Sequence, residues 1–125
     1  MASINLTRTQ MNAGVRQALS IFKKSDASHG GLISPTEVKK YRGPGAAQLR
    51  AVFSYAQHIE AGRGGNTKNV SVSYRTAERA LKNLNSALDK VAISKGDKDK
   101  RLDGNELKYA SNAAAALARF THANR

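Results

Sequence analysis

Asp26-Ala27-Ser28-His29-Gly30-Gly31-Leu32-Ile33-Ser34-Pro35-Thr36-Glu37 is the stretch on which the reading of this chain turns. Its end, Ser34-Pro35-Thr36-Glu37, joins a capping box to a proline at the first helical position, which starts a helix at Pro35. Upstream, Met11, Val15, Leu19 and Phe22 recur at spacings of four, four and three, lining one face of a helix from Thr7 to Lys24. The quoted residues therefore form a loop between two helices. A second stretch, Lys95-Gly96-Asp97-Lys98-Asp99-Lys100-Arg101-Leu102-Asp103-Gly104-Asn105-Glu106, begins 69 residues later. Both stretches carry a branched aliphatic at the eighth position, Ile33 or Leu102, and a glutamate at the twelfth, Glu37 or Glu106.

The helix opened at Pro35 is short, because Gly43-Pro44-Gly45 interrupts it after Val38 and Tyr41. A third helix is predicted over 46–61, with Leu49, Val52, Phe53, Ala56 and Ile59 on one face and Gly62-Arg63-Gly64-Gly65-Asn66 as its stop. Val70-Ser71-Val72-Ser73 alternates briefly like a strand. Ser73 can nevertheless cap a fourth helix in which Ala77, Leu81, Leu84, Leu88 and Val91 keep helical spacing to about Ile93. A fifth, alanine-rich helix is expected from Asn105 to Thr121, with Leu107, Ala110, Ala114, Leu117 and Phe120 on its stripe.

A chain of 125 residues fits one domain, over residues 1–125, and its 40% hydrophobic and 24% charged content is that of a folded globular protein. The absence of cysteine excludes a disulfide framework and thiolate metal sites. No run approaches the roughly 18 apolar residues that span a bilayer. The start, with no apolar core behind a basic segment, points to the cytoplasm rather than to secretion through a signal peptide, with export by a route that uses no such signal, or packaging into a larger particle, as the alternatives. The formal charge of +12 suggests attraction to polyanions. Its distribution is uneven, since six of the nine acids (Asp26, Glu37, Asp97, Asp99, Asp103 and Glu106) fall in the two loops. Elsewhere Glu60, Glu78 and Asp89 face seventeen Lys and Arg.

With its two helix-flanked loops, each twelve residues long and ending in glutamate, the chain resembles the EF-hand family. In that family calcium takes six to eight oxygens, from loop positions one, three, five, seven through a carbonyl, nine often through water, and twelve. The resemblance implies an all-α fold of about five helices: two EF-hand-like helix–loop–helix units, from helices one and two and from helices four and five, with an additional helix between them. It also implies that Ile33 and Leu102 face each other in a short antiparallel pairing. For loop one it implies a metal set of Asp26, Ser28, the carbonyl of Leu32, and Glu37. Gly30 and Ser34 stand where further ligands are usual, so calcium binding there should be weak. Loop two offers Asp97, Asp99, Asp103 and Glu106, but Lys95 takes the first ligand position and Lys100 the place of the turn glycine. The Lys95 ammonium is expected to sit among those acids in place of metal.

Other chemistry is sparse. His29, His58 and His122 are far apart and read as exposed surface histidines. Gly62-Arg63-Gly64-Gly65 lacks the preceding strand and Lys-Ser/Thr ending of a phosphate loop, and no serine sits in a nucleophile-elbow context. The chain is read as no enzyme. Arg75, Arg79 and Lys82 share a face of helix four away from its apolar stripe and could contact phosphates. An aromatic share of 6% without tryptophan leaves little for base stacking. The expected function is that of a small interaction or structural protein with an unidentified protein partner. The alternative is nonspecific binding of nucleic acid or another polyanion.

Overall fold

The first helix opens on a capping box. The Thr7 backbone N–H donates to Gln10 Oε1 at 2.8 Å, and the Gln10 N–H donates to Thr7 Oγ1 at 3.2 Å. From there α1 (Arg8–Ser25) buries Met11, Val15, Ala18 and Phe22, and places Lys23 and Lys24 at its negative carbonyl end. The computed structural model describes residues 4–26, 31–62, 70–94, 101–104 and 106–124.

Helix α2 (Pro35–Lys39) begins as expected, with proline in its first turn and a reciprocal cap between Ser34 and Glu37. It lasts only five residues. Its exposed carbonyl end is caught by Arg50, whose guanidinium donates to the carbonyls of Lys39 and Tyr41 at 3.3 and 3.1 Å. Gly45 turns the chain with φ +76°, and α3 (Ala46–Ala61) runs from it to Gly62, where φ is +70°. Helix α4 (Tyr74–Ser94) is capped by the Ser73 hydroxyl, which accepts from the Thr76 N–H at 3.2 Å.

The fifth helix departs from expectation. A 3-10 turn, Glu106–Tyr109, comes first, and α5 (Asn112–Asn124) starts only after a break. Ser111 causes the restart: its hydroxyl accepts from the Ala114 N–H at 3.2 Å, a cap that competes with continuation of the preceding turn.

Four two-residue strands form two separate antiparallel pairs among the described residues, and here a second expectation fails. Ile33 does not face Leu102. β1 (Asn5–Leu6) pairs with β4 (Leu102–Asp103), setting Leu6 against Leu102, while β2 (Leu32–Ile33) pairs with β3 (Val72–Ser73), setting Ile33 against Val72. Leu6, Ile33, Val72 and Leu102 are each fully buried. Each precedes a cap residue, Thr7, Ser34, Ser73 or Asp103, so the loops share their layout with two further segments that the acid pattern did not mark. Those two segments supply the strand partners.

The helices close over one core. α1 packs on α4 and α5, and α3 packs on the same two helices. Phe22 and Phe53 meet in its interior with ring centroids 5.9 Å apart and planes tilted by 50°. Gly14 lets α1 approach α5, for a Cβ at that position would collide with the Thr121 side chain.

Candidate functional site

Each strand–cap unit satisfies N–H groups that open a helix, three of the four by the same means and the fourth by another. Thr7 with Gln10, Ser34 with Glu37, and Asp103 with Glu106 are reciprocal boxes. In the remaining unit the third helical position is Thr76, which offers no carboxylate or amide. Glu60 from α3 takes over: its Oε1 accepts from the Ser73 N–H at 2.8 Å. That hydrogen bond holds the Glu60 carboxyl below the ordinary 4.5, against a smaller upward push from burial. Gln57, also on α3, donates from Nε2 to the Val70 carbonyl at 2.9 Å and anchors the chain leading into β3.

Loop one carries the most specific polar contact. Asp26 is fully buried, and its Oδ2 accepts from the Gly31 N–H at 3.0 Å and from the Tyr74 hydroxyl at 2.6 Å. Tyr74 opens α4, so the contact ties the end of α1 to an element 48 residues away. The hydrogen bond to Asp26 pushes the Tyr74 phenol above its ordinary 10.0, because ionisation would lose the bond and set a phenolate against a carboxylate. Glu37 faces its own cap through Oε1, and Leu32 lies in β2 with its side chain 52% exposed. Ser28 lies outside the described residues. Beside this loop a cleft of about 310 Å³ opens between α1 and α2, lined by Ile21, Lys24, Ser25, Glu37, Lys40 and Tyr41.

In loop two, Asp97, Asp99 and Lys95 lie outside the described residues, and so does the expected contact of the Lys95 ammonium. Asp103 and Glu106 are brought together as partners of one capping box, with both bonds at 3.0 Å and Glu106 almost fully buried. Among the described residues no group of three His, Asp or Glu side chains could hold a metal ion. Two carboxylates and a carbonyl in loop one fall short of the six to eight oxygens that calcium takes, so the described residues alone do not build a calcium shell.

Arg75, Arg79 and Lys82 are all exposed on α4, as their spacing predicts. Glu78 lies among them, with its Oε1 2.8 Å from Lys82 Nζ. The hydrogen bond from Lys82 and its charge lower the Glu78 carboxyl, and Lys23 of α1 adds to the effect. Lys23 Nζ also stands 5.8 Å from the Tyr74 ring centroid. Farther along the same helix pair, Arg8 grips Asp89 through two bonds of 3.1 and 2.6 Å, and Asn85 donates to Asn12 at 2.9 Å.

Of the histidines, His58 is exposed as expected, His122 is half-buried against expectation because α5 turns it toward the core, and His29 lies outside the described residues. Tyr74, Glu60 and Gln57 escaped sequence reasoning, since none belongs to a loop motif and each acts on a partner more than ten residues away. No described helix is long and apolar enough to cross a membrane. The chain matches no protein-family model, no curated protein and no solved structure.

Proposed function

We propose that this is a non-enzymatic binding or structural protein of the cytoplasm, built on an EF-hand-like scaffold whose loops are closed by the protein's own hydrogen bonds and bind calcium weakly at most. The observation that carries this reading is the fate of the Asp26 carboxylate. It stands at the first ligand position of loop one, yet it is fully buried and accepts from Gly31 and Tyr74. On this reading α3 is the entering helix of a second unit, whose loop joins β3, rather than an insertion. The cap hydroxyls of Thr7, Ser34 and Ser73 serve backbone amides, which supports a structural role over a nucleophilic one. Circular dichroism with calcium and with chelator tests the proposal. The helical signal and the melting transition should persist in chelator, and a chain that folds only with calcium would overturn it.

A second reading, binding of a polyanion, is favoured by the exposed cations that α1 and α4 present together, Lys23 on one and Arg75, Arg79 and Lys82 on the other. Retention of the full chain on mixed-sequence duplex DNA at low salt, and its release as salt rises, is the corresponding test.

A further inference from the structure

The contacts between α1 and α4 descend one helix as they climb the other: Arg8 meets Asp89, Asn12 meets Asn85, and Lys23 meets Tyr74. The two helices are therefore antiparallel in a fixed register, which puts Arg16 at the level of Leu81 and Lys82. The register divides their outer face in two. One end is electrically balanced by the Arg8–Asp89 pair and the two asparagines. The other carries Arg16 and Lys23 from α1 with Arg75, Arg79 and Lys82 from α4, all exposed. Glu78 sits among these cations.

We propose that this basic end is a docking strip for the phosphate backbone of a nucleic-acid duplex, with Glu78 as the internal anion that an arriving phosphate replaces. The inference rests on the second reading above and assigns it a site. Seven residues separate Arg75 from Lys82, a rise of about 10 Å along the helix, which matches about three steps of 3.4 Å along a duplex axis. Three of the five cations are arginines, whose planar fork grips phosphate oxygens in pairs. A groove lined by Arg75, Glu78, Arg79, Lys82 and Asn83 already holds one carboxylate against Lys82, which is the contact a phosphate oxygen takes over.

The strip suits a polynucleotide better than an acidic membrane. Helices that lie on bilayers bury an apolar face beside their basic one. Here the apolar face of α4, with Ala77, Leu81, Leu84 and Leu88, is spent on the core. Of the exposed large apolar side chains among the described residues, Ile93 and Tyr109 lie on the last turn of α4 and on the 3-10 turn, away from the strip, while Leu32, paired with Ser73, is a single aliphatic beside the strip's Arg75 end and not an apolar face. Tyr74 is the aromatic ring at the strip's end, and its hydroxyl is bonded to Asp26, so recognition is of the backbone and carries little sequence preference.

The test is a salt titration of binding to a mixed-sequence DNA duplex by the full chain and three variants. Glu78→Gln should tighten binding severalfold. The combined Arg75→Ala, Arg79→Ala and Lys82→Ala variant should weaken it at least tenfold and flatten the log–log salt dependence by about 0.9 for each phosphate that is no longer neutralised. Arg119→Ala, an exposed arginine on α5, should change little. Thermal melts of each variant separate impaired binding from impaired folding. If the wild type fails to bind at low salt, the polyanion reading itself falls. If it binds but the triple variant binds equally well, or Glu78→Gln binds no tighter, the polyanion reading stands and this site is overturned. Stronger retention on phosphatidylserine vesicles than on the duplex, abolished in the triple variant, would overturn nucleic acid as the partner.

Discussion

The two strand pairs are alike in their apolar residues and unlike in their polar closure. In each, two fully buried aliphatics face across the pair, Ile33 with Val72 and Leu6 with Leu102. The β1–β4 pair is then finished locally. Its backbone adds a bond from the Gly104 N–H to the Ile4 carbonyl, and Asp103 and Glu106 cap one another. The β2–β3 pair depends on side chains brought from elsewhere: Gln57 and Glu60 from α3, and Tyr74 reaching Asp26. Similar apolar pairing thus comes with a backbone bond and a local cap at one pair, and with a side-chain junction of α1, α3 and α4 at the other.

The largest expected effect tests the likeness. Ile33→Ala and Leu102→Ala should each cost about 2–5 kcal/mol, the range for large-to-small changes in a close-packed core. Urea unfolding of both variants measures this. If one truncation costs little while the other unfolds the protein, the two pairs are not equivalent parts of the core.

The next effect tests the difference. Asp26→Ala strands the half-buried Gly31 N–H and the Tyr74 hydroxyl and should cost about 3 kcal/mol, since hydrogen bonds to a charged group are worth roughly 1.5–3 kcal/mol each. Asp103→Ala removes a local cap and should cost about 0.5–2 kcal/mol. Equal losses would erase the distinction. The pH dependence sharpens it. The Tyr74 phenol is raised above 10.0 by its bond to Asp26, so its stabilising contribution is complete below pH 10 and is lost as pH rises through the raised value. The Glu60 carboxyl is lowered from 4.5 by the Ser73 amide, so its contribution is present above 4.5 and is lost as pH falls through the lowered value. Tyr74→Phe should flatten the alkaline limb and Glu60→Gln the acid limb of a stability profile. Wild-type slopes in both variants would show that these ties are not coupled to folding.

What could be read from the sequence was whatever lay within one helical turn or one periodic stripe. Met11, Val15 and Phe22, or Leu81, Leu84 and Leu88, mark their helices by spacing alone, and Ser34-Pro35-Thr36-Glu37 announces its own cap. Charge misdirected the rest. The acidic loops mark Ile33 and Leu102 alike, and the family likeness pairs those two with each other. Their true partners, Val72 and Leu6, precede caps with no carboxylate at the third helical position, Thr76 and Gln10. The absence of an acid at Thr76 is made good by Glu60, a substitution visible only once α3 has been folded against β3. Tyr74 is a similar case. Nothing in its immediate neighbours distinguishes it from an exposed first-turn tyrosine, and its partner lies in another part of the chain. The break at Ser111 was legible in principle, because a serine before an alanine run is a helix start as much as a helix interior.

The smallest expected effect concerns calcium, and it asks whether the side-chain junction at loop one is also a binding site. A metal entering there must share Asp26 with Gly31 and Tyr74, and Glu37 with its cap, while Ser34 and Gly30 add no further charge. So few carboxylates keep the dissociation constant no tighter than about 10⁻⁴ to 10⁻³ M, the range of weak calcium modules. By mass action about 1 mM calcium would then add only about 0.4–1.4 kcal/mol of stability. Tyr74→Phe releases one claim on the Asp26 carboxylate, so its melting temperature should rise more with calcium than that of the wild type, even though the variant starts lower. Glu37→Gln removes a charged ligand and should abolish the rise in both backgrounds. Calorimetry supplies the affinity and paired melts with calcium and chelator supply the stability. Micromolar binding by the wild type would mean that Tyr74 helps to organise the loop for metal, whereas an unchanged calcium response in Tyr74→Phe would mean that the hydroxyl and the cation do not compete for the same carboxylate.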